Sequence, residues 1–144
     1  MRTILLIALL FTTPFYGQQK ERIKALKTTH ISNSLKLTAS EAEKFWPIYN
    51  AHEEKQFDLR KKERREIFMI VKGDVEGLSD DEANVLIEKG INFKSTELQY
   101  YKELVANLRG VIPVYKILKL RRAEEEFKRK LLEKLKKRRE QRKN

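Results

Sequence analysis

Two short phrases constrain this chain more than anything else in it. Leu37-Thr38-Ala39-Ser40-Glu41 and Leu78-Ser79-Asp80-Asp81-Glu82 share one formula: a leucine, a hydroxyl residue, and a glutamate three places after the hydroxyl. In each phrase the hydroxyl can accept from the amide of the glutamate, and the glutamate carboxylate can reach back to the amide of the hydroxyl residue. Together these bonds satisfy two of the donors that a helix N-terminus leaves open, an arrangement known as a capping box. Helices are therefore expected to begin at about Ala39 and Asp80. Leu37, one place before the first cap, can close on the first turn as a hydrophobic staple. With 5 Gly and 3 Pro, and with 37% charged against 40% hydrophobic residues, the chain suits extended helices more than a compact sheet protein.

In chain order, residues 1–17 read as a signal peptide. Arg2 supplies the positive start, Ile4 to Phe11 the apolar run, Pro14 its end and Gly17 a small residue at a cleavage point. The run is about half of the roughly 20 residues needed to span a bilayer, so the mature chain is not expected to cross a membrane. Gln18 to Leu35 reads as a weakly amphipathic first helix with Ile23, Leu26, Ile31 and Leu35 near one side. The second helix is expected from Ala39 to Lys72, bent at Pro47 and stopped by Gly73. The third is expected to start after Ser79 and reach Arg109, with Ala83, Leu86, Ile87, Gly90, Lys94, Glu97, Tyr101, Leu104 and Leu108 on one face. Gly110 fits the position just past a helix end and Pro113 the first position of a fourth helix. That helix is expected to fray after Leu135 into a basic tail, 136–144. The domain proper is then 18–135, one all-α unit of four helices with long, antiparallel second and third members.

Catalytic signatures are missing. There is no nucleophile elbow, no phosphate-cradling glycine loop, no dinucleotide fingerprint and no His-Glu-x-x-His pair, so no enzyme and no cofactor is expected. The chain has no Cys and two His, His30 and His52. His52 beside Glu53 is the one weak metal candidate, and two isolated histidines more often pack or face solvent. Phe45, Trp46 and Tyr49 admit two readings: a buried core cluster, or an apolar ledge for a partner. Tyr100 and Tyr101 point about 100° apart, so at most one can be deep in the core. The net charge of +11 suits a solvated basic surface or an anionic partner. A nucleic acid is disfavoured for an exported protein.

The two leucine-hydroxyl phrases, together with Phe45-Trp46-Pro47-Ile48-Tyr49 and the late run Ala123 to Leu132, resemble the Leu-Thr-x-x-Gln pattern of the Spy/CpxP family of small all-helical periplasmic proteins. The wider order of pieces looks closer to a related group of small secreted proteins described as sensors for extracytoplasmic-function sigma factors. Here Glu41 and Glu82 replace the usual Gln, and Ser79 replaces the second Thr. Separately, so few apolar residues over long helices make a thin monomer core, and a homodimer that buries extra apolar surface is expected. The resemblance implies an elongated, hairpin-like four-helix cradle and a periplasmic envelope-stress role. That role is the ATP-independent binding of unfolded clients, or their report to a membrane signalling protein. It directs attention to Leu37, Thr38, Glu41, Leu78, Ser79 and Glu82 as motif residues, and to Phe45, Trp46, Tyr49, Arg60, Arg64 and Tyr100 as candidate client contacts. Some relatives of this fold group are metal sensors, which makes a metal-responsive sensor the alternative.

Overall fold

The computed structural model describes residues 15–142. Four helices make up most of it: α1 (Phe15–Leu35), α2 (Ala39–Glu63), α3 (Asp80–Leu108) and α4 (Val114–Gln141). Beyond Glu63 the chain stays helical through a π-helical turn, Arg64–Phe68, and one last α-helical turn, Met69–Val71. Among the described residues there is no β-strand, and no helix is long and apolar enough to cross a membrane. The all-α expectation holds. Of the expected signal peptide, residues 1–14 lie outside the described part, and residues 15–17 belong to α1.

Both capping boxes form. Thr38 Oγ1 accepts from the Glu41 amide at 3.2 Å, and Glu41 Oε2 accepts from the Thr38 amide at 2.9 Å. Ser79 Oγ accepts from the Glu82 amide at 3.3 Å, with the return bond at 2.9 Å. Leu37 also takes part in ending α1. Lys36 takes a left-handed φ of 49°, its amide donates to Asn33 O at 3.3 Å, and the Leu37 amide donates to Ser32 O at 3.2 Å. That is a Schellman ending for α1. One leucine therefore comes after the stop of α1 and before the start of α2, which makes the α1–α2 corner tight.

Other boundaries shift slightly. Pro113 is the N-cap of α4 rather than its first residue, with φ −55° and ψ 141°. Gly110 comes after the Arg109 cap of α3 with φ 81°, a conformation glycine tolerates at no steric penalty. Pro47 lies inside α2 without ending it. The expected fraying after Leu135 does not occur, and α4 runs to Gln141. Lys, Arg, Glu and Gln are strong helix formers, and cations in a last turn favour the helix dipole.

The helices pair antiparallel. Along α2 and α3, Lys55 meets Glu103 and Ile67 lies across from Gly90. Along α1 and α4, Lys36 meets Lys116 and His30 meets Ala123 and Phe127. Both pairs converge at one end. There Ile31 and Leu35 of α1, Phe45 and Tyr49 of α2, Leu104 and Leu108 of α3, Ile112 of the connector, and Ile117, Leu120 and Ala123 of α4 form a single buried cluster. Away from this hub the arms are thin. The chain exposes 12398 Å², against about 7,800 Å² for a compact monomer of its mass.

The single face expected on α3 is in fact two. Ala83, Leu86, Gly90, Phe93, Glu97, Tyr100, Leu104 and Leu108 are the buried or half-buried positions along the α2 side. Ile87, Ile91, Leu98 and Tyr101 lie about 100° round the helix and stay exposed. A line drawn with 3.6-residue drift crosses from one to the other, whereas packing against a straight partner keeps to 3.5.

At the hub, Lys116 Nζ, itself buried, donates to Lys36 O at 2.8 Å and to Glu41 Oε2 at 2.6 Å. It thereby ties the start of α4 to the end of α1 and the start of α2. Glu82 has no such cation and serves its cap alone. This gives a physical account of glutamate at position 41, where a neutral amide would leave the buried ammonium without a counter-charge.

These contacts can be checked in two ways. A Cβ built on Gly90 meets only the Ile67 side chain, at an ordinary 3.8 Å. Gly90→Ala should therefore stabilise the protein by about 0.5–1 kcal/mol, and a lower denaturation midpoint in urea would contradict this packing. The Glu41 carboxyl is held below its ordinary value, first by Lys116 and then by the Thr38 amide. A carboxyl depressed on folding stabilises above its ordinary pKa, and that contribution disappears as pH falls through the depressed value. Glu41→Gln should lower the thermal midpoint at pH 7 and flatten its decline below pH 4.5. Parallel wild-type and variant curves would show that Glu41 carries no linked proton.

Candidate functional site

The capping box at Thr38 sets the angular phase of α2, and that phase decides where its aromatics go. Phe45 and Tyr49, four residues apart, point into the hub, with 0% and 1% of their surfaces exposed. Their rings stack at 5.3 Å, and Trp46 meets both edge-on, at 5.0 and 5.6 Å. Such pairs contribute about 0.5–1.5 kcal/mol each beyond area burial. Phe45 and Tyr49 are core, and Trp46 is half-buried, packed against the same hub on one side.

Trp46 opens onto a groove of about 520 Å³ between α1 and α2. Its apolar lining comes from Ile23 of α1 and from Trp46, Tyr49 and Phe57 of α2, with Phe57 48% exposed. Trp46, Asn50, Glu53 and Phe57 have 4-3-4 spacing, which aligns them on one helix face. That spacing is the available signal for Phe57, which motif-based reading passes over because it lies in a charge-dense stretch. The groove's charged residues have both signs: Lys24, Lys27 and Arg60 against Glu21, Glu53, Glu54 and Asp58. The strong basic excess of the composition is therefore not gathered here.

The floor of the groove is polar and fully engaged. Lys27 Nζ donates to Glu53 and lies 5.2 Å from the centre of the Tyr49 ring. The Tyr49 hydroxyl donates to Glu124 Oε1 of α4 at 2.7 Å. Burial pushes the Tyr49 hydroxyl far above its ordinary pKa, and the charges of Glu124 and Glu53 push the same way. It therefore stays a proton donor at every physiological pH. Burial also raises the Glu124 carboxyl, and the Tyr49 bond opposes that rise. Tyr49 is thus a wall and a strut between α2 and α4, not a free binding group.

The remaining candidates lie elsewhere. Arg60 lines the groove, but Arg64 begins the π-helical turn and sits over the Phe68 ring at 5.6 Å. The extra residue of that turn rotates the last α-helical turn relative to the Arg60 face, which a uniform helix period does not anticipate. Tyr100 faces the α2–α3 side, where Lys55 lies 5.5 Å over its ring, and Tyr101 is 41% exposed. Neither tyrosine enters the core. Leu37 is partly buried against the hub, and Leu78 is half-buried in the far connector. His52 packs beside Pro47, Tyr100 and Leu104, and burial lowers its pKa, with Glu53 opposing. Among the described residues no three His, Cys, Asp or Glu side chains gather in a way that could hold an ion.

Comparison of the chain with protein-family models, with curated proteins and with solved structures finds no match.

Tyr49→Phe removes the donor from a half-buried carboxylate. It should cost about 1–3 kcal/mol of unfolding free energy in denaturant titration, because Glu124 then loses a partner that water replaces poorly. An unchanged midpoint would mean that the strut does not bear on stability.

Proposed function

We propose that this is a periplasmic envelope-stress protein that binds extended, apolar-rich segments of non-native proteins, without ATP and without catalysis, in the α1–α2 groove. In this reading the bound state is either protective in itself or is reported to a membrane signalling system of the extracytoplasmic sigma-factor type. The observation that carries the proposal is the pairing of half-open Trp46 and exposed Phe57 over one continuous groove. Aromatic anchors in a concave, mostly apolar surface suit side chains of an unfolded segment. A rim of both charge signs suits a binder with no fixed client sequence, since neither sign is selected. The absence of a catalytic constellation in the sequence and the resemblance of the Leu37 and Leu78 phrases to Spy/CpxP proteins support the same reading. The thin core of the single chain also points to a homodimer. The excess accessible surface is consistent with a second copy covering part of it.

Trp46 is the single tryptophan of the chain, so its fluorescence reports the groove directly. Titration with a tryptophan-free peptide of alternating phenylalanine and polar residues should shift the emission to the blue with saturation. In parallel, the protein should suppress light scattering by an aggregating client. Phe57→Ala should weaken both effects about tenfold. Because the rim charges nearly cancel, added salt should change them little. Emission indifferent to the peptide, together with full suppression by the Phe57→Ala variant, would refute the groove as the client site.

A further inference from the structure

The exposed stripe of α3 is unexplained by the groove, which lies on the other side of α2. It consists of the exposed Ile87, Ile91, Lys94, Leu98 and Tyr101 and runs on to the half-buried Val105, which also packs against the hub, at spacings of 4, 3, 4, 3 and 4. Ile87, Ile91 and Leu98 are 58%, 55% and 53% exposed, although their spacing is that of a coiled-coil seam. The seam is about 27 Å long at 1.5 Å per residue. We infer that this stripe is a self-complementary interface, through which two copies of the chain pair by antiparallel contact of their α3 helices. The inference rests on the homodimer proposed above and specifies its surface and register.

The residues themselves set the register. In an antiparallel pair the two kinds of seam position alternate across the interface. With the two-fold axis at the height of Thr96, Ile87 meets Val105 of the second copy, Ile91 meets Tyr101, and Lys94 meets Leu98. Each layer sets a side chain against one of different shape, and no layer sets like against like. The flanking positions then bring Glu88 opposite Lys102 of the second copy, twice. Both residues are exposed in the single chain. Ser95 falls beside its own copy near the axis on one flank, and Glu97 does so on the other, where each Glu97 is neutralised by Lys94 of its own chain. Lys94 Nζ already binds Glu97 at 3.1 Å, so its aliphatic stem can cover Leu98 while the ammonium stays paired at the edge. A parallel pair would place Lys94 against Lys94 in one layer, which like charge opposes. Two such faces cover about 1,000 Å² in total, near the lower limit of a specific interface, so dissociation in the micromolar range is expected.

The test is sedimentation of the protein across about 1–100 µM, a range suited to an interface of that size. It is repeated for Ile91→Asp and for the pair Glu88→Lys and Glu88→Lys/Lys102→Glu. The chain has no cysteine, so Ser95→Cys and Ala106→Cys each give one thiol for a short bis-maleimide cross-linker. In the proposed register the two introduced thiols at position 95 are adjacent, whereas those at position 106 are about 30 Å apart. Expected are a concentration-dependent dimer, at least tenfold weaker association for Ile91→Asp with helix content unchanged, and loss on Glu88→Lys that the second charge reversal restores. Cross-linking is expected through position 95 and not 106. A dimer that ignores Ile91→Asp and cross-links at neither position would overturn the seam while leaving a homodimer in place. Cross-linking at 106 alone would overturn the register. A monomer throughout would overturn both the seam and the homodimer.

Discussion

The ammonium of Lys116 is the point through which three of the four helices are joined. It is buried, so it must be paired; its partners are the carbonyl of Lys36 at the end of α1 and the carboxylate of Glu41 at the start of α2. Lys36 is the left-handed residue of the Schellman turn, and the Glu41 carboxylate is already committed to a capping box. Fixing one buried charge therefore fixes two helix termini relative to a third helix. Burying a charge is costly unless the pairing is complete, so this contact is intolerant of displacement. Around it the apolar cluster closes, from Ile31 through Ala123.

That placement makes the molecule uneven. Where the helices converge, side chains such as Phe45, Leu35 and Leu108 are wholly enclosed. Along the arms little is enclosed; away from the hub Phe93 and Gln56 are the buried side chains among the described residues. Phe68, Met69, Ile70 and Val71 stay open near the far connector, and the buried oxygen of Gln56 has no hydrogen-bond partner. The groove lies at the border between these regimes. Its inner end is set by Tyr49, anchored through Glu124, and its outer end by Phe57, on a helix with fewer restraints.

Charge is distributed on the same principle. The basic excess of the chain invites the idea of one cationic face. In the folded chain much of it lies along the second half of α4, from Lys128 onward, where Arg138 and Arg139 in the last turn favour the helix dipole. The residues that surround Trp46 and Phe57 are nearly balanced. Net charge thus speaks to solubility and encounter, while the character of the groove comes from which residues a few helical turns bring together.

Local features are legible directly in the chain. Both helix starts are written in Thr38-Glu41 and Ser79-Glu82, and the end of α3 in Gly110, because capping involves atoms within a few residues of one another. The all-α class and the order of four helices come from the same short-range rules. The tertiary structure alone decided that Glu41 would meet Lys116, 75 residues away in sequence, while Glu82 would meet only its own cap. It decided too that Phe45 would be enclosed and Trp46 left half-open, and that Phe57 and Arg60 would join Trp46 while Arg64 would not. It separated the two stripes of α3, which periodicity alone merges into one line. The physical reason is the same in each case. Capping and propensity are properties of one turn, whereas burial and pairing depend on which helix lies alongside, and that is set by the whole chain closing around a single buried charge and one apolar hub.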